Sequence, residues 1–432
     1  MDLLSLNESP GAYPASYYAA TAPLLEALPP LAGEIDADVC VIGAGYTGLS
    51  AALHLAQRGM KVVVVEGQRV GWGASGRNGG QLASGWRHGQ DKLEAMLGIE
   101  HARLLWRLSE DAKNLVKSLI ATQDIDAELK SGVLYADHKA RFTEGTRAEV
   151  EHLRKAYGYE AMRFVPREEM SQLLGTKSYF SGSLDMDAGH LHPLKFVLGL
   201  ARAAQKAGAV VHEQSRAISI DECDPAIVRT EGGSVRARFV VVACNGYLGL
   251  LERQVAAHVM PINSYIIATE PLGGGAKEII RDDIAVADSR FVVNYFRLSA
   301  DRRLLFGGRE SYGYRFPTDI ETRVRQRMLG IFPQLREAKI THAWGGTLAI
   351  TMNRLPYVRR LAPNILSASG YSGHGVALST LAGQLCAEAI AGQAERFDVL
   401  ARIPVPAFPG GSSLRRPLLV LAMLWYALRD RL

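Results

Sequence analysis

Val39-Cys-Val-Ile-Gly43-Ala-Gly45-Tyr46-Thr47-Gly48-Leu-Ser-Ala-Ala-Leu-His-Leu-Ala56, followed after a short turn by Val62-Val-Val-Val65-Glu66, reads as strand, glycine-rich turn, helix and second strand tipped by an acid. A G-x-G-x-x-G pattern alone is weak, but one that leaves a strand, opens a helix and is answered by an acid describes a dinucleotide-binding βαβ unit. Gly43 permits the sharp turn, Gly45 keeps side chains away from a pyrophosphate, and Gly48 lets the helix pack closely on the sheet. The diphosphate then sits at the positive end of the helix. Glu66 is placed to accept hydrogen bonds from ribose hydroxyls, and an acid there disfavours a 2′-phosphate. NAD and FAD both remain open at this point, and a tight turn with a surface carboxylate is the bland alternative.

The chain has 432 residues, which suggests two or three structural units. Its 49 basic and 44 acidic residues nearly balance, with no basic run of the kind that holds nucleic acid. Cys40, Cys223, Cys244 and Cys386 form no C-x-x-C pair, so core thiols in a reducing, cytoplasmic setting are expected. The alanine-, proline- and tyrosine-rich N-terminus lacks the features of a secretory signal and reads as an arm packed on the body. At the other end Pro417 to Leu428 is an apolar run of twelve residues, short of the ~20 that a membrane helix needs. A docked helix is expected there, with weak peripheral membrane contact through Trp425 as the alternative.

Helical periodicity marks Ala102 to Thr122, Pro193 to Ala207 and Thr380 to Ala391. Strands are expected at Gly132 to Ala136, Val210 to His212, Ile227 to Thr230, Phe239 to Ala243, Tyr265 to Thr269, Phe291 to Arg297 and Arg303 to Gly307. This order predicts an α/β fold with a Rossmann-like unit interleaved with a second, mostly antiparallel one. Three more glycine-rich patches stand out: Gly71-Trp-Gly73-Ala74-Ser75-Gly76-Arg77-Asn78-Gly79-Gly80-Gln81, Asn245-Gly246, and Gly370-Tyr-Ser-Gly373-His374-Gly375. The last precedes a helix and can offer N-terminal amides to a developing negative charge; the first, if it binds nothing, is merely a flexible loop.

Together the βαβ start, G-A-S-G-R-N-G-G-Q at Gly73 to Gln81, G-H-L-H-P-L at Gly189 to Leu194 and G-Y-S-G-H-G at Gly370 to Gly375 resemble the D-amino-acid-oxidase-like flavoprotein superfamily, over nearly the whole chain. Within it the likeness is to the gamma-glutamylputrescine oxidoreductases. The resemblance implies an FAD domain assembled from residues 38–95, 182–255 and 341–400, a substrate domain from 96–181 and 256–340, an N-terminal arm over 1–37 and a C-terminal tail over 401–432. It implies that Gly43, Gly45, Tyr46, Thr47 and Gly48 hold the pyrophosphate, Glu66 the ribose and Ala217 the adenine. Gly73, Ala74, Ser75, Arg77, Asn78, Gly79, Gly80 and Gln81 would line the phosphates and isoalloxazine. Gly346 and Val376 would complete the cofactor site, with Gly373, His374 and Gly375 at the pyrimidine edge, where preorganised amides stabilise a reduced flavin.

Trp344 to Pro356 holds no cysteine and Gly71 to Gln81 no histidine, so non-covalent FAD is expected. Amino-acid oxidases of the superfamily carry an arginine in the segment matching Gly346 to Asn353; here Leu348 falls there, which argues against a substrate carboxylate beside the reacting carbon and suits the aliphatic end of an amine. The implied reaction is oxidation of a primary amine to an aldehyde, by hydride transfer to flavin N5, with ammonia released and O2 reduced to hydrogen peroxide. The runner-up is oxidation of a secondary amine or amino acid with another electron acceptor.

His374, Trp344, Tyr265 and Tyr295 are the candidate side chains around the substrate, with Tyr371 as a further wall; each aromatic is equally explained as an ordinary core residue, and for His374 a helix cap is the preferred reading. Arg297, Arg309 and Arg354 are candidates for a remote carboxylate. His190 and His192 have metal-like spacing but no acidic or thiol neighbours. A place before the Pro193 helix is preferred for them, and no metal is expected.

Overall fold

The structure is a computed structural model that describes residues 2–311 and 313–411. The valine run Val62–Val65 is buried along its whole length, as a strand covered on both faces must be. It pairs in parallel with Gly33–Ile42, which pairs in parallel on its other side with Gly233–Val242. The parallel ladder continues to Ile365–Ser369 on one flank and Val210–His212 on the other. Tyr357–Ala362 closes one edge antiparallel, and the hairpin of Ala217–Asp221 and Ala226–Thr230 completes an eight-stranded sheet. Gly33–Ile42 is therefore central, with the rest of the sheet built outward on both sides, which puts a crevice beyond its carboxyl end.

Helix Tyr46–Ala56 is buried on every face. Helix Gly375–Ile390 lies against it so closely that a β-carbon on Gly383 would stand 2.2 Å from the Thr47 carbonyl oxygen, and Ser50 Oγ donates to the Thr380 carbonyl at 2.7 Å. Pro193–Lys206 and Ile99–Thr122 add to the same apolar core. Pro193 starts its helix with a fixed φ and no amide to lose. His192 caps that helix, its Nδ1 accepting from the Lys195 amide at 3.2 Å.

A second, nine-stranded sheet runs from Ile340–Ile350 through Met260–Thr269, Leu304–Ser311, Tyr295–Leu298, Ala285–Asp288, Lys130–Asp137 and Ser181–His190 to Gln81–Leu82. It is antiparallel apart from the pairing of Ala285–Asp288 with Lys130–Asp137. It has its own core, centred on Phe296, Phe306 and Phe332. The fold is thus mixed α/β, a Rossmann-like layer beside a mostly antiparallel sheet.

The sheets divide the chain differently from the expected boundaries. Residues 182–190 and 341–350 belong to the nine-stranded sheet rather than with the Rossmann-like layer, while helix Ile99–Thr122, expected in the second unit, packs in the first core. Ser181–His190 carries serine, glycine and aspartate with little intrinsic strand preference; its pairing with strands on both sides imposes the conformation. The strand expected from Phe291 begins at Tyr295 instead, because Asp288 accepts from the Asn294 amide at 3.0 Å and from Asn294 Nδ2 at 2.8 Å, holding a turn. Cys223 is exposed, unlike the core thiol expected, whereas Cys40 and Cys386 are buried.

The first strand starts at Gly33, so the N-terminal arm ends sooner than expected. It is tightly held: Trp72 Nε1 donates to the Ala12 carbonyl at 2.9 Å, Gln68 Nε2 to the Leu4 carbonyl at 2.7 Å, and Tyr18 is fully buried. The run 417–428 lies outside the described residues. Among the described residues no helix is long and apolar enough to cross a membrane.

Candidate active site

One cavity of about 710 Å³ reaches from the tip of the parallel sheet to the face of the second sheet. At the first end Gly43 has φ 107°, in the left-handed region, and a β-carbon there would stand 2.9 Å from the Ala243 carbonyl oxygen. A β-carbon on Gly45 would meet Ser75 Oγ at 2.8 Å. Gly48 does not line the cavity; its β-carbon would fall 1.8 Å from the Gly43 carbonyl oxygen, so its part is to bring helix and turn together. The helix N-cap is Gly45, with no side-chain cap, and only Ser75 Oγ, accepting from Tyr46 N at 3.0 Å, occupies its first amide. Tyr46 and Thr47 also border the space, Thr47 Oγ1 lying 2.7 Å from Tyr371 Oη.

Glu66 lines this end together with Ala217. Its Oε2 accepts from the Ala44 amide at 2.7 Å and its Oε1 from the Gln68 amide at 2.8 Å. Burial raises its pKa, and these amides work in the other direction. A carboxylate has about four acceptor sites, so capacity is left for two hydroxyls. Asp2, Leu3 and Leu4 of the arm also border the cavity, with Asp2 paired to Arg216 at 2.6 Å. Nothing in the sequence of the arm signals this position.

The glycine loop from Gly71 leads out of the first sheet and ends in Gln81–Leu82 on the second. Gly73, Ala74, Ser75, Arg77, Asn78, Gly79 and Gln81 line the cavity, whereas Gly80 does not. Gly80 has φ 75° and would clash with the Leu191 carbonyl at 2.0 Å if it carried a β-carbon. Asn78 holds the loop, Nδ2 donating to the Ala74 and Ser75 carbonyls at 3.0 Å each and Oδ1 accepting from Gly80 N at 2.7 Å. Arg77 Nε donates to the Trp72 carbonyl at 2.6 Å and Nη1 to the Gly345 carbonyl at 3.2 Å, while its buried Nη2 has no partner.

The period-2 geometry of the second sheet decides which of its residues face the cavity. Gly346, Ser264 and Glu310 are directly opposite one another on three adjacent strands, and all three line it. One residue along, Gly345, Tyr265 and Arg309 form the next row, and none of them does. Tyr265 instead turns to Ser311, Oη to Oγ 2.5 Å, and to the edge of Phe316. Tyr295 does border the cavity, with Oη 3.1 Å from Ser264 Oγ. Trp344 lies behind the glycine loop, donating to the Arg77 carbonyl at 3.1 Å and packing edge-on to Tyr18. Tyr265 and Trp344 are therefore absent from the cavity wall expected of them. Arg297 is also elsewhere: Nε donates to the Gly79 carbonyl at 2.9 Å and Nη2 to Tyr18 Oη at 3.3 Å.

His374 is the N-cap of helix Gly375–Ile390 but makes no side-chain cap hydrogen bond, and its Nδ1 has no partner. Burial first, then the neighbouring Arg87 and His88, push its pKa down to about 3, so the ring is neutral. Gly373, Gly375 and Val376 line the cavity beside it, which brings first-turn amides, left without intrahelical partners, to this wall. Leu348 is here too, as are Arg87, Arg354 and Glu310. Arg87 and Glu310 were not foreseen, since neither lies in a motif. His190 Nε2 bonds to the Asp283 carbonyl oxygen at 2.8 Å and His192 Nε2 to Thr21 Oγ1 at 3.0 Å, so both rings are used in packing.

These residues fit a dinucleotide cofactor. A cradle without β-carbons meets a helix start without a side-chain cap of its own, an acid stands at the ribose position, and the far wall offers a second helix start beside His374. Such donors suit an anionic, flat ligand.

Comparison with known proteins agrees. The family described as "DAO: FAD dependent oxidoreductase" matches residues 38–389. The chain is 45% identical over 417 residues to "Probable oxidoreductase OrdL" of Rhizobium meliloti, covering 96% of this chain and 97% of that one. It is 39% identical over 419 residues to the "Gamma-glutamylputrescine oxidoreductase" of Escherichia coli, covering 96% and 98%. Among solved structures, glycine oxidase from Geobacillus kaustophilus shares the fold with a TM-score of 0.70 at 21% identity, covering 83% of this chain and 95% of that one. L-proline dehydrogenase from P. horikoshii does so with 0.71 at 20%, covering 86% and 98%. The cradle, the loop and the matches over nearly the full length lead to one conclusion: the chain belongs to the DAO family of FAD-dependent oxidoreductases.

Proposed function

We propose that the chain oxidises the terminal primary amine of gamma-glutamylputrescine or a related polyamine derivative to an aldehyde, releasing ammonia, with O2 accepting the electrons as hydrogen peroxide. The observation that carries this is the wall at Gly346 and Leu348: both line the cavity, and the segment presents an aliphatic side chain where a carboxylate-binding arginine would be needed for a simple amino acid. The relative from Escherichia coli, by its name, acts on this class of molecule. FAD, when bound, supplies the two-electron acceptor, and the absence of cysteine from 344–356 and of histidine from 71–81 fits a non-covalent association. Gly43, Gly45 and Tyr46 hold its diphosphate, Glu66 its ribose and Ala217 its adenine.

On the substrate side, Leu348 and Tyr295 orient an aliphatic chain and exclude water. Neutral His374 and burial at this wall offer a protonated amine no counter-charge, which favours the reactive neutral form. Anaerobic addition of gamma-glutamylputrescine, putrescine, spermidine, sarcosine and D-alanine to the purified flavoprotein tests this reading. Bleaching of the flavin spectrum by the first compound is expected, with peroxide formed on admitting air. Turnover of sarcosine or D-alanine with no bleaching by gamma-glutamylputrescine would replace it with oxidation of another secondary amine or amino acid. Slow reoxidation in air would point to a different acceptor.

A further inference from the structure

Arg87, Arg354 and Glu310 reach the cavity from three separate elements: the segment after strand Gln81–Leu82, the turn after Ile340–Ile350, and strand Leu304–Ser311. None of the three side chains makes a hydrogen bond or salt bridge within the described residues; the guanidinium of Arg354 lies only over the Phe291 ring, 5.7 Å from its centroid. They nevertheless sense one another electrostatically. Burial works against the charges of both Arg87 and Glu310 and Arg354 repels Arg87, while Glu310 favours the charge of Arg87 and both arginines favour the carboxylate of Glu310. Two cations and one anion held in a partly buried cavity, with no direct partner among themselves, are costly unless a ligand completes them. Among the described residues no cluster of metal-ligating side chains is found, and the carboxylate of Glu310 has acceptor sites to offer an organic cation.

We propose that these three residues form a recognition site for an α-amino-acid head group: Arg87 and Arg354 grip its carboxylate, and Glu310 accepts hydrogen bonds from its ammonium. A linear amine whose far end is a gamma-glutamyl amide carries this head, and putrescine itself does not. Ser264 and Gly346 stand in register beside Glu310, so the head-group site is continuous with the wall along which the aliphatic chain lies. The assignment rests on the amine-oxidase reading and deepens it, separating recognition of one end of the substrate from reaction at the other.

The test is calorimetric binding to the FAD-loaded full chain of three ligands that lack a terminal amine: gamma-glutamylbutylamide with carboxylate and ammonium, glutarylbutylamide with carboxylate alone, and N-acetylbutylamine with neither. The wild type is expected to bind them in that order of affinity. Arg87→Gln and Arg354→Gln should each reduce the preference for the first two over N-acetylbutylamine by about 10- to 100-fold, the worth of a charge-assisted hydrogen bond. Glu310→Gln should erase the preference for gamma-glutamylbutylamide over glutarylbutylamide. Arg87→Lys and Arg354→Lys keep the charge without the fork and should restore part of the preference; flavin content and Tm confirm that each variant is folded. Equal wild-type affinities, or ratios that no variant changes, overturn the proposal. A loss on Glu310→Gln that is the same for all three ligands overturns the ammonium assignment. Because binding is read without turnover, preserved ratios with no flavin bleaching by gamma-glutamylputrescine would defeat the amine-oxidase reading and leave the head-group site standing.

Discussion

Gly48 rests on Gly43: a β-carbon on Gly48 would stand 1.8 Å from the Gly43 carbonyl oxygen and 3.1 Å from Val41 Cγ1. Neither neighbour is the loose end of a flexible side chain, so Gly48→Ala must push the helix away from the turn. Overpacking of this kind costs about 1–3 kcal/mol, and the displacement opens the diphosphate cradle. The variant is expected to purify with much less flavin and to melt below the wild type. A wild-type flavin-to-protein ratio would show that the helix accommodates the methyl group.

Glu66 has two backbone amides on its two oxygens. Glu66→Gln retains one acceptor oxygen and turns an NH2 toward the other amide, losing a bond and opposing two donors at a buried site. In the FAD complex the substitution also withdraws a charged acceptor from the ribose hydroxyls, and loss of a hydrogen bond to a charged group, about 1.5–3 kcal/mol, corresponds to FAD binding weaker by about 10- to 150-fold. Titration of apoprotein with FAD, followed by flavin fluorescence, measures it; an unchanged Kd would remove Glu66 from the cofactor site.

The βαβ unit was legible because strand, turn, helix and acid are contiguous, and each position has its own steric or polar reason. The Gly71 to Gln81 and Gly370 to Gly375 patches were legible for the same cause. What failed was side-chain direction on the second sheet. Tyr265 reads from the sequence as an aromatic wall, but strand alternation gives the cavity to Ser264 and Glu310, and only the register with Gly346 reveals which row faces inward. Trp344 is on a strand beside the site yet is occupied behind the Arg77 loop. Arg87 and the residues Asp2 to Leu4 come to the cavity through tertiary packing, which no local pattern encodes.

Arg297 separates a structural from a substrate-binding arginine. Its Nε and Nη2 tie the Gly79 carbonyl to Tyr18, and Nη1 reaches the Leu298 carbonyl at 3.2 Å. Arg297→Lys cannot span these acceptors. A loss of about 1–3 kcal/mol in stability is expected, with the ratio of kcat/KM for gamma-glutamylputrescine over putrescine retained. Loss of that ratio at normal stability would return Arg297 to the substrate site.

His190 and His192, together with His374, should contribute to acid stability. Burial, followed by the charge of Arg297, depresses His190 and His192 to about 3 in the folded chain, against about 6.5 when unfolded. Between those values the unfolded state binds more protons, so stability is complete above about 6.5 and falls as pH drops toward 3. His192→Asn keeps a helix-capping side chain and removes one titrating group. Its Tm should therefore fall less steeply than that of the wild type between pH 6.5 and pH 5, and parallel slopes would contradict this origin.

The pH profile of turnover follows from the same physics applied to the substrate. His374 is neutral throughout the working range, its pKa being about 3, so it contributes no ionisation above pH 5. The group that must lose a proton is the substrate amine, with a free pKa near about 10.4 by analogy with lysine; its neutral fraction grows about tenfold per pH unit below that value. kcat/KM is expected to rise with pH from 6 toward 10 along a single limb. His374→Gln should change the height of that limb without moving its midpoint, because the titrating proton belongs to the substrate. A rate constant that is flat from pH 6 to 10, or a midpoint that moves with residue 374, would show that deprotonation is assisted by a group of the protein instead.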